Sequence, residues 1–388
     1  MAQIAGFRGA LWDASKVDLV NVVTSPVTGV KERLGTGELV RDGARALYRY
    51  HQTFVLGGRT VTRETLVCAA RLEPWSEGVI RPHEQTDPTA RDAATAAITE
   101  AGAHTEAVFA GYRDAARELD RLLRGVDSAR PAVEATTPDG TVHRLWRVAS
   151  AEIIGKVRTL FAPKKLHVLD GHARYEGMLA YANRLGADNH PQYSSAKYGL
   201  ACLVNLEDPT LVVAARHRLV RTDGIKGDVV LEAAKKYFII DRLPGIARDL
   251  AKVQAALAET LAHQPAFVAV FAGDPDAWKL TLKPDVSPVG EGVQIHRAIQ
   301  KLDPVVVEHM FLARVVQAAA STTTLDAAGV LDAVENGASI GMVMRPLPLE
   351  QVVHADELGA LLPFGSTAFH PPLANLIALV IDPDEDLV

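Results

Sequence analysis

The sequence predicts a mixed α/β (α+β) fold, on three observations. Residues 45–75 alternate polar and apolar side chains and are rich in β-formers, and Gly57-Gly58 divides them where a two-residue hairpin turn is expected. The apolar strand LHVLDG at 166–171 is followed by HARYEGMLAYANRLG, whose apolar residues recur at helical spacing until Gly186. The last third alternates helical and strand patterns, which is typical of mixed sheets covered by helices.

Local signals assign the other elements in chain order. Residues 90–124 are rich in Ala, Glu, Arg and Leu and are interrupted by Gly102 and Gly111, which predicts two helices. Asp139-Gly140 marks a second hairpin. Further helices are expected at about 150–161, 228–237, 246–263, 303–319 and 349–362, and further strands at YGLACLVNL, TLVVAARHRLV, AFVAVFAG, ASIGMVMRP and NLIALVI.

The predicted domain boundary precedes the strand–turn–helix unit. We expect an N-terminal β-rich and helical portion at residues 1–145, which carries the His83-Glu84 loop. A core and a C-terminal α/β portion are expected at residues 146–388. The chain shows no repeat, no low-complexity segment and no linker richer in Pro or Gly than an ordinary loop, so the boundary follows from the order of the elements.

Composition and charge exclude several classes of protein. Hydrophobic residues make up 48% and charged residues 23% of the chain, which is the balance of a folded globule. A net charge of -6 argues against a broad electrostatic contact with nucleic acid, so no nucleic-acid partner is expected.

Cys68 and Cys202 each lie in an apolar run, which predicts two buried thiols and no structural zinc site. The first residues lack the features of a signal peptide, and no uncharged apolar run reaches the roughly 18–20 residues of a membrane helix, so we expect a cytoplasmic protein without a membrane partner.

The turn Asp170-Gly171-His172-Ala173-Arg174 is the main candidate for chemistry. A glycine between a strand and a helix lets backbone N–H groups approach an anion, and the helix N-terminus adds positive potential. His172 and Arg174 add donors and charge, as phosphate or carboxylate binding requires, and Asp170 is placed to hold a magnesium ion. On the residues alone a second interpretation stays open, in which Asp170 is a helix cap and Arg174 a solvated helix residue.

A second candidate is His83-Glu84, in the loop after Pro82. A carboxylate in such a loop can serve as a general base towards a substrate hydroxyl. Two other interpretations stay open: a solvated glutamate, or a local ion pair with Arg81.

Two further groups complete the candidates. Arg216 and Arg218 lie two residues apart on a strand, so both point to one face and can converge on one anion. The alternative is an edge strand whose outer face is charged. Ser366 and Thr367 follow a helix and Gly365, where hydroxyl and N–H groups can contact phosphate or ribose or can form a capping turn.

The order of several separated motifs resembles one bacterial and archaeal family over nearly the whole chain. These motifs are FRG, YRYHQTF–GG–R, RPHEQT, LHVLDGHARYEGMLAY, LVNLEDPTLVVAARHRLV and PFGSTAFHPP. The family is the domain-of-unknown-function family DUF1015, often described as ParB-like. It is similar to the ParB and sulfiredoxin superfamily, whose shared strand–Gly turn–helix core holds nucleotide phosphates and to which free L-serine kinases belong.

The resemblance implies a role for each candidate residue. Glu84 corresponds to the base that takes the proton from the serine hydroxyl, and Asp170 to the aspartate that assists at the phosphates with Mg²⁺. ATP or ADP is the implied phosphoryl donor. The resemblance places His172 and Arg174 on nucleotide phosphate and Arg218 on the hydroxy amino acid. The other candidates are assigned with them: Gly171, Ser366 and Thr367 to nucleotide phosphate, and His83 and Arg216 to the hydroxy amino acid.

The sequence departs from the family pattern at four places. Ala173 replaces the second histidine of the turn, and Arg216 replaces a threonine hydroxyl with a bulky cation. Residues 24–30 read TSPVTGV where APPYDVI is usual, and Pro372 stands in place of a lysine. These changes alter what the pocket can bind, whereas the core turn and His83-Glu84 are kept.

The candidate residues and the resemblance leave four hypotheses of function. The first is a kinase for the hydroxyl of free L-serine or a related hydroxy amino acid, because phosphoryl transfer needs an aligned hydroxyl, a base and positive charge on the transferred group. The second, kept open by the departures, is a protein that binds a nucleotide or metabolite without turnover. A ParB-like nucleotide-dependent DNA-binding protein fits less well, because the chain is acidic and shows no helix-turn-helix candidate. Sulfiredoxin-type chemistry needs a cysteine on the turn, where His172 and Ala173 stand.

Overall fold

The computed structural model describes residues 1–221, 226–318 and 321–388, which form two compact units. The first unit comprises Met1–Pro82, Thr86–Val212 and Phe369–Val388, and the second comprises His83–Gln85 and Val213–Ala368. The predicted boundary between residues 145 and 146 lies within the first unit. As a division into independently folding domains, it stays a prediction.

Both units contain helices and strands, which confirms the mixed α/β class. The strands are β1 (Ile4–Ala5), β2 (Ala10–Trp12), β3 (Leu39–Arg41), β4 (Leu47–Leu56), β5 (Arg59–Arg71), β6 (Ile80–Pro82), β7 (Ala103–His104), β8 (Val108–Tyr112), β9 (Val133–Thr136), β10 (Val142–Val148), β11 (Leu166–Asp170), β12 (Tyr198–Asn205), β13 (Val212–Ala214), β14 (His217–Val220), β15 (Phe238–Leu243), β16 (Ala266–Phe271), β17 (Ala277–Leu282), β18 (Thr322–Thr324), β19 (Ile340–Val343), β20 (Ala368–His370) and β21 (Ile377–Val380). The α-helices are α1 (Leu19–Val23), α2 (Val30–Thr36), α3 (Pro88–Ala101), α4 (Glu118–Leu122), α5 (Ala151–Phe161), α6 (His172–Arg184), α7 (Gly227–Ala234), α8 (Leu250–Ala258), α9 (Asp303–Val306), α10 (Ala327–Glu335) and α11 (Leu349–Glu357), and a π-helix follows α9 at Val307–Val316. In the described residues, no helix combines the length and the apolar character needed to cross a membrane.

A nine-stranded sheet forms the centre of the first unit, in the order β6-β11-β8-β12-β5-β4-β10-β9 with β1 beside β5. The pairs β6–β11 and β8–β12 are parallel, and β11–β8 is antiparallel. Every side chain of β12 is buried, which is typical of a strand covered on both faces. A smaller sheet of the same unit has the order β3-β2-β21-β7.

The two predicted hairpins are confirmed. Leu56 pairs with Arg59 across Gly57 and Gly58, which have φ values of 56° and 76°. This left-handed backbone at both central residues matches the twist of the flanking strands and favours glycine. The second hairpin joins β9 to β10 through Gly140, whose φ is 82°.

The two cysteines lie on the neighbouring strands β5 and β12. Cys68 and Cys202 are both free and completely buried, which confirms the prediction of buried thiols. Burial raises the pKa of Cys202 to about 12 and also raises the pKa of Cys68. Neither thiol is therefore a nucleophile at neutral pH.

Residues 90–124 differ from the prediction of two helices. The first helix, α3, begins after the cap Asp87 and ends at Gly102, but β7 and β8 follow it, and α4 spans only Glu118–Leu122. The sequence VFAGY of β8 pairs with β11 and β12, and all five of its residues are buried. Pairing and burial therefore override the helical composition of this stretch.

The predicted strand–Gly turn–helix is present as β11, Gly171 and α6. Helix α6 packs closely on α3, because a Cβ atom added at Gly177 would lie 3.0 Å from the Cβ of Ala94. Helix α5 begins at Ala151, close to its predicted start. The turn at the start of α6 is thus fixed on a buried strand and a packed helix, which position functional groups more precisely than loops do.

The second unit is built on an antiparallel sheet in the order β15-β17-β16-β19-β14-β18. Its core includes Phe238, Phe267 and Phe311, with the ring centroids of the last two 4.8 Å apart. The helix predicted at 303–319 is a short α-helix that continues as the π-helix, and its predicted last residue, 319, lies outside the described residues. Helices α7, α8 and α11 lie at the predicted places but are shorter than expected.

Candidate functional site

The turn of the first unit is open to solvent at its aspartate. Asp170 is the last residue of β11, and its side chain is 52% exposed. Gly171 precedes α6 with φ 90° and ψ 31°, a left-handed conformation that glycine adopts at little cost. The N-cap residue Gly171 has no side chain to cap the first turn of α6, where backbone N–H groups and the positive end of the helix dipole lie. This arrangement is suited to a bound anion.

Arg174 lies against this turn but already has partners. Its Nη1 donates to the carbonyl of Ala107 at 2.6 Å, and its guanidinium lies 3.7 Å from the Glu106 carboxylate and 4.0 Å from that of Asp170. A guanidinium has five N–H donors, so one bond to a carbonyl leaves others for a ligand. The loop before β8 therefore holds the Arg174 charge beside Gly171, while two carboxylates partly balance it. The side chain of His172, the first residue of α6, is buried.

In the second unit, two backbone hydrogen bonds to Leu362 fix the positions of His83 and Glu84. The carbonyl of His83 accepts from the Leu362 N–H at 2.8 Å, and the N–H of Gln85 donates to the Leu362 carbonyl at 2.9 Å. Glu84 is consequently held beside the loop that follows Leu362, and its side chain is 7% exposed. The sequence suggested a solvated glutamate or an ion pair with Arg81 as alternatives, and burial rules out the first of these.

The Glu84 carboxylate accepts three hydrogen bonds from this loop. Its Oε2 accepts from the Gly365 N–H at 2.9 Å, and its Oε1 accepts from both the N–H and the hydroxyl of Thr367 at 2.6 Å. The Thr367 oxygen also lies 2.7 Å from Nε2 of His83. Because the single hydroxyl proton goes to Glu84, Nε2 of His83 is the donor in that contact. The Ser366 hydroxyl donates to the Pro363 carbonyl and closes the turn.

Two arginines donate hydrogen bonds to carbonyl groups of the same loop. Arg216 donates from Nε to the Thr367 carbonyl at 2.9 Å and from Nη1 to Oγ1 of Thr323 at 2.9 Å. Arg218 donates from Nη1 to the Gly365 carbonyl at 2.8 Å. The two arginines do converge on one segment, and β14 lies between β19 and β18 instead of at the sheet edge. We call Glu84, Arg216, Arg218 and the loop 365–367 the acid–arginine cluster.

In the acid–arginine cluster, the backbone of one residue, Gly365, connects the charges of Glu84 and Arg218. Gly365 accepts from Arg218 through its carbonyl and donates to Glu84 through its N–H. Such a chain of charge-assisted bonds is stronger than neutral hydrogen bonds. Between the arginines, Nδ1 of His217 accepts from the Met344 N–H at 3.0 Å, and burial lowers the pKa of His217.

Sequence reasoning missed two participants. Gly365 bonds to Glu84 through its N–H and to Arg218 through its carbonyl, and Thr323 accepts from Arg216. Glycine in the PFGSTAFHPP motif was a signal for the first of these, whereas nothing in the local sequence points to Thr323.

The described residues contain no group of three or more His, Cys, Asp or Glu side chains that could hold a metal ion. Magnesium, however, commonly binds through one or two carboxylates together with substrate phosphates and water. The exposed carboxylate of Asp170 is suited to be such a ligand. A magnesium ion at Asp170 stays a prediction.

Several solved structures are similar to this chain at low sequence identity. A free serine kinase in complex with AMP aligns with 12% identity and a TM-score of 0.41, covering 80% of this chain and 91% of that one. SbnI from Staphylococcus aureus, with a C-terminal truncation, aligns with 11% identity and a TM-score of 0.42, covering 82% and 90%. A conserved hypothetical protein from Pyrococcus furiosus aligns with 12% identity and a TM-score of 0.39, covering 76% and 90%.

The comparison with family profiles shows the family to which the chain belongs. A comparison with curated proteins gives no match. The profile of the family described as "Protein of unknown function (DUF1015)" matches residues 20–317, as the order of the motifs predicted. The chain belongs to this family.

Proposed function

We propose that the protein is a small-molecule kinase that transfers a phosphoryl group from ATP or ADP to the hydroxyl of free L-serine or a related hydroxy amino acid. The observation that carries the proposal is the start of α6 behind a left-handed glycine N-cap, Gly171, with the exposed Asp170 at the strand end. The sequence of this turn resembles the corresponding turn of free L-serine kinases.

In this proposal the turn of the first unit binds the nucleotide phosphates. The N–H groups at the start of α6 and the Arg174 guanidinium supply donors and positive charge. Asp170 would hold Mg²⁺, which neutralises negative charge on the phosphates when it is bound. His172 is assigned to the same phosphates by resemblance. That Ser366 and Thr367 contact nucleotide phosphate stays a prediction.

The acid–arginine cluster of the second unit receives the acceptor. In the transfer step, the acceptor hydroxyl oxygen forms a bond to the terminal phosphorus and the bond from that phosphorus to the leaving nucleotide breaks. The hydroxyl proton goes to the Glu84 carboxylate, and ADP leaves when ATP is the donor. His83, Arg216 and Arg218 are assigned to the acceptor by resemblance, and Arg218 would take its carboxylate.

A second candidate function is binding of a nucleotide or metabolite without turnover. It is favoured by the three hydrogen bonds that Glu84 already accepts from Gly365 and Thr367, because they give this carboxylate a structural task. The hydrogen bonds of Arg216 to Thr367 and Thr323 also favour binding without turnover, because they give this guanidinium a structural task.

Release of ADP from ATP, measured with and without hydroxy amino acids, separates the two candidates. The kinase proposal predicts release that depends on the acceptor. Binding without turnover predicts a higher unfolding temperature with nucleotide, since a ligand of the native state stabilises it, but no release with any acceptor.

The turn itself yields a prediction for Gly171→Ala. An alanine at φ 90° costs about 1–2 kcal/mol, and its Cβ would lie 2.7 Å from Nη1 of Arg174. We therefore expect a loss of stability in urea denaturation and weaker binding of ATP in calorimetry, by about tenfold for each 1.4 kcal/mol of interaction lost.

Gly186→Ala is the matched control, because Gly186 follows α6 with φ 64° and carries a similar conformational cost away from the turn. It should lose stability but bind ATP like the parent protein. Equal ATP affinity in the Gly171→Ala and Gly186→Ala proteins would show that the turn does not contact phosphate.

A further inference from the structure

A cleft in the first unit is lined mainly by charged side chains. It has a volume of about 380 Å³ and lies between β4 and the segment 116–127 that contains α4. Six lining residues are charged, namely Arg49, Arg117, Asp120, Arg121, Arg124 and Asp127. The other two are the small residues Ala116 and Gly125, so the lining favours a compact ionic ligand over an apolar one. We call this feature the arginine cleft.

The arginine cleft is separate from the turn at Gly171. Arg49 lies on β4 and Asp170 on β11, and the strands β8, β12 and β5 lie between them in the sheet. At about 4.8 Å between neighbouring strands, β4 and β11 are roughly 19 Å apart across the sheet. A phosphate group bound at the turn is therefore too far away to contact Arg49.

Arg49 is the buried charge of the arginine cleft. Its side chain is 7% exposed and donates from Nε to Nε2 of His51 at 2.8 Å, from Nη1 to the Leu123 carbonyl at 2.6 Å and from Nη2 to the Glu64 carboxylate at 2.6 Å. Burial, and after it the charge of Arg49, lower the pKa of His51 to about 4, so His51 is neutral at pH 7. Since a guanidinium has five N–H donors, the three bonds fix Arg49 and leave two donors for a ligand.

Arg117 adopts a backbone conformation that favours glycine. Its φ is 52° and its ψ is 44°, and this left-handed region brings the Cβ atom of any other residue close to the following carbonyl oxygen. The Arg117 side chain lies 3.4 Å from the Asp120 carboxylate, but both side chains are more than one-third exposed, and such ion pairs contribute little to stability. Strained backbone is most common at functional sites, so a guanidinium held at this position points to binding.

Two further arginines of the cleft have no carboxylate partner. The exposed Arg121 donates from Nη2 to the Ala116 carbonyl at 2.9 Å. In the part of the chain that the structure describes, no carboxylate oxygen lies within 4.0 Å of the guanidinium of Arg121 or of the exposed Arg124. The four arginines exceed the three carboxylates of Glu64, Asp120 and Asp127, which leaves a positive potential beside Arg121 and Arg124.

We propose that the arginine cleft binds a compact phosphate dianion, either inorganic phosphate or the phosphate group of a small monoester, through Arg117, Arg121 and Arg124 with Arg49 at its buried side. The planar fork of a guanidinium matches the oxygens of a phosphate, which is why arginine predominates at such sites. This binding site is additional to the proposed kinase function, and no chemical step is assigned to it.

Calorimetric titration with inorganic phosphate, in a buffer free of other phosphate, tests the proposal. The double variant Arg121→Gln/Arg124→Gln should bind phosphate about 10- to 100-fold more weakly than the parent protein, because two charge-assisted contacts are lost. Arg59→Gln is the matched control, since it removes an exposed arginine at the hairpin between β4 and β5, and it should bind like the parent. The inference is wrong if the parent binds no phosphate or if the double variant binds it equally well.

A second ligand distinguishes the two sources of the phosphate group. Glycerol 3-phosphate carries the same dianion on a small alcohol. If it binds the parent protein and loses affinity in the double variant, the cleft accepts monoesters. If only inorganic phosphate shows this pattern, the cleft takes the free ion.

Two single variants separate the cleft from the turn and binding from folding. Gly171→Ala changes the turn and should leave phosphate binding at the arginine cleft intact. Loss of all phosphate binding in Gly171→Ala would mean that the turn is the site and would overturn the inference. Arg117→Gly removes a guanidinium and relieves the backbone, so it should be at least as stable as the parent in urea yet bind phosphate about 3- to 10-fold more weakly. Unchanged phosphate affinity in this stable variant would contradict a binding role for Arg117.

Discussion

Replacing Glu84 with glutamine is expected to lower kcat for phosphorylation of L-serine by about 10²- to 10⁴-fold, which is the contribution of a positioned general base. Glutamine has nearly the same shape but cannot accept the hydroxyl proton. ATP affinity, measured by calorimetry, should stay close to that of the parent protein. If the Glu84→Gln protein is as active as the parent, Glu84 is not the base.

The same change also disturbs the loop 365–367, and this effect must be separated from catalysis. The amide N–H2 of glutamine would face the Gly365 N–H or the Thr367 donors where the carboxylate now accepts. An unsatisfied buried donor costs about 1–3 kcal/mol, which urea denaturation would measure.

Thr323→Val is the matched control for this disturbance. It removes the hydroxyl that accepts from Arg216, which is assigned to the acceptor, and so loosens the acid–arginine cluster without replacing any residue assigned to substrate. We expect a stability loss of about 1 kcal/mol and kcat within about threefold of the parent. A loss of kcat as large as that of Glu84→Gln would mean that Glu84 acts by holding the loop.

Asp170→Asn is expected to reduce kcat/KM for ATP with Mg²⁺ by about 100-fold or more, because a metal ion supplies several kcal/mol of charge stabilisation in phosphoryl transfer. The concentration of Mg²⁺ needed for half-maximal activity should rise as well. Stability should change by no more than about 0.5 kcal/mol, since the side chain is 52% exposed. Titration of activity against Mg²⁺ checks both expectations.

Asp188→Asn serves as the control for this change, because Asp188 is an exposed aspartate in the turn that follows α6. It removes the same charge from the same unit and should leave the Mg²⁺ titration of the parent protein unchanged. If the Asp170→Asn titration also coincides with that of the parent, Asp170 does not hold the metal.

Local signals in the sequence were sufficient for part of the fold. Gly57-Gly58 and Gly140 predicted both hairpins, because the backbone at these residues is left-handed. The apolar strand before Gly171 and the helical spacing after it predicted β11 and α6. Residues 103–112 could not be predicted in this way, since a short apolar run becomes a strand only when neighbouring strands pair with it.

The residues of the candidate site were predicted better than their contacts. Local residue patterns singled out Glu84, Arg216, Arg218 and Thr367, the resemblance added roles for Glu84 and Arg218, and the second unit brings all four together. That Glu84 binds backbone N–H groups follows only from the three-dimensional arrangement, because Glu84 and Thr367 are separated by 283 residues.

Phosphorus NMR of the parent protein with ATP, Mg²⁺ and L-serine tests the central claim most directly. The account predicts a phosphomonoester signal that grows in step with the loss of the γ-phosphate signal of ATP, and it predicts no such change when L-serine is omitted. Unchanged ATP with every hydroxy amino acid tested, or release of inorganic phosphate that does not depend on L-serine, would contradict it.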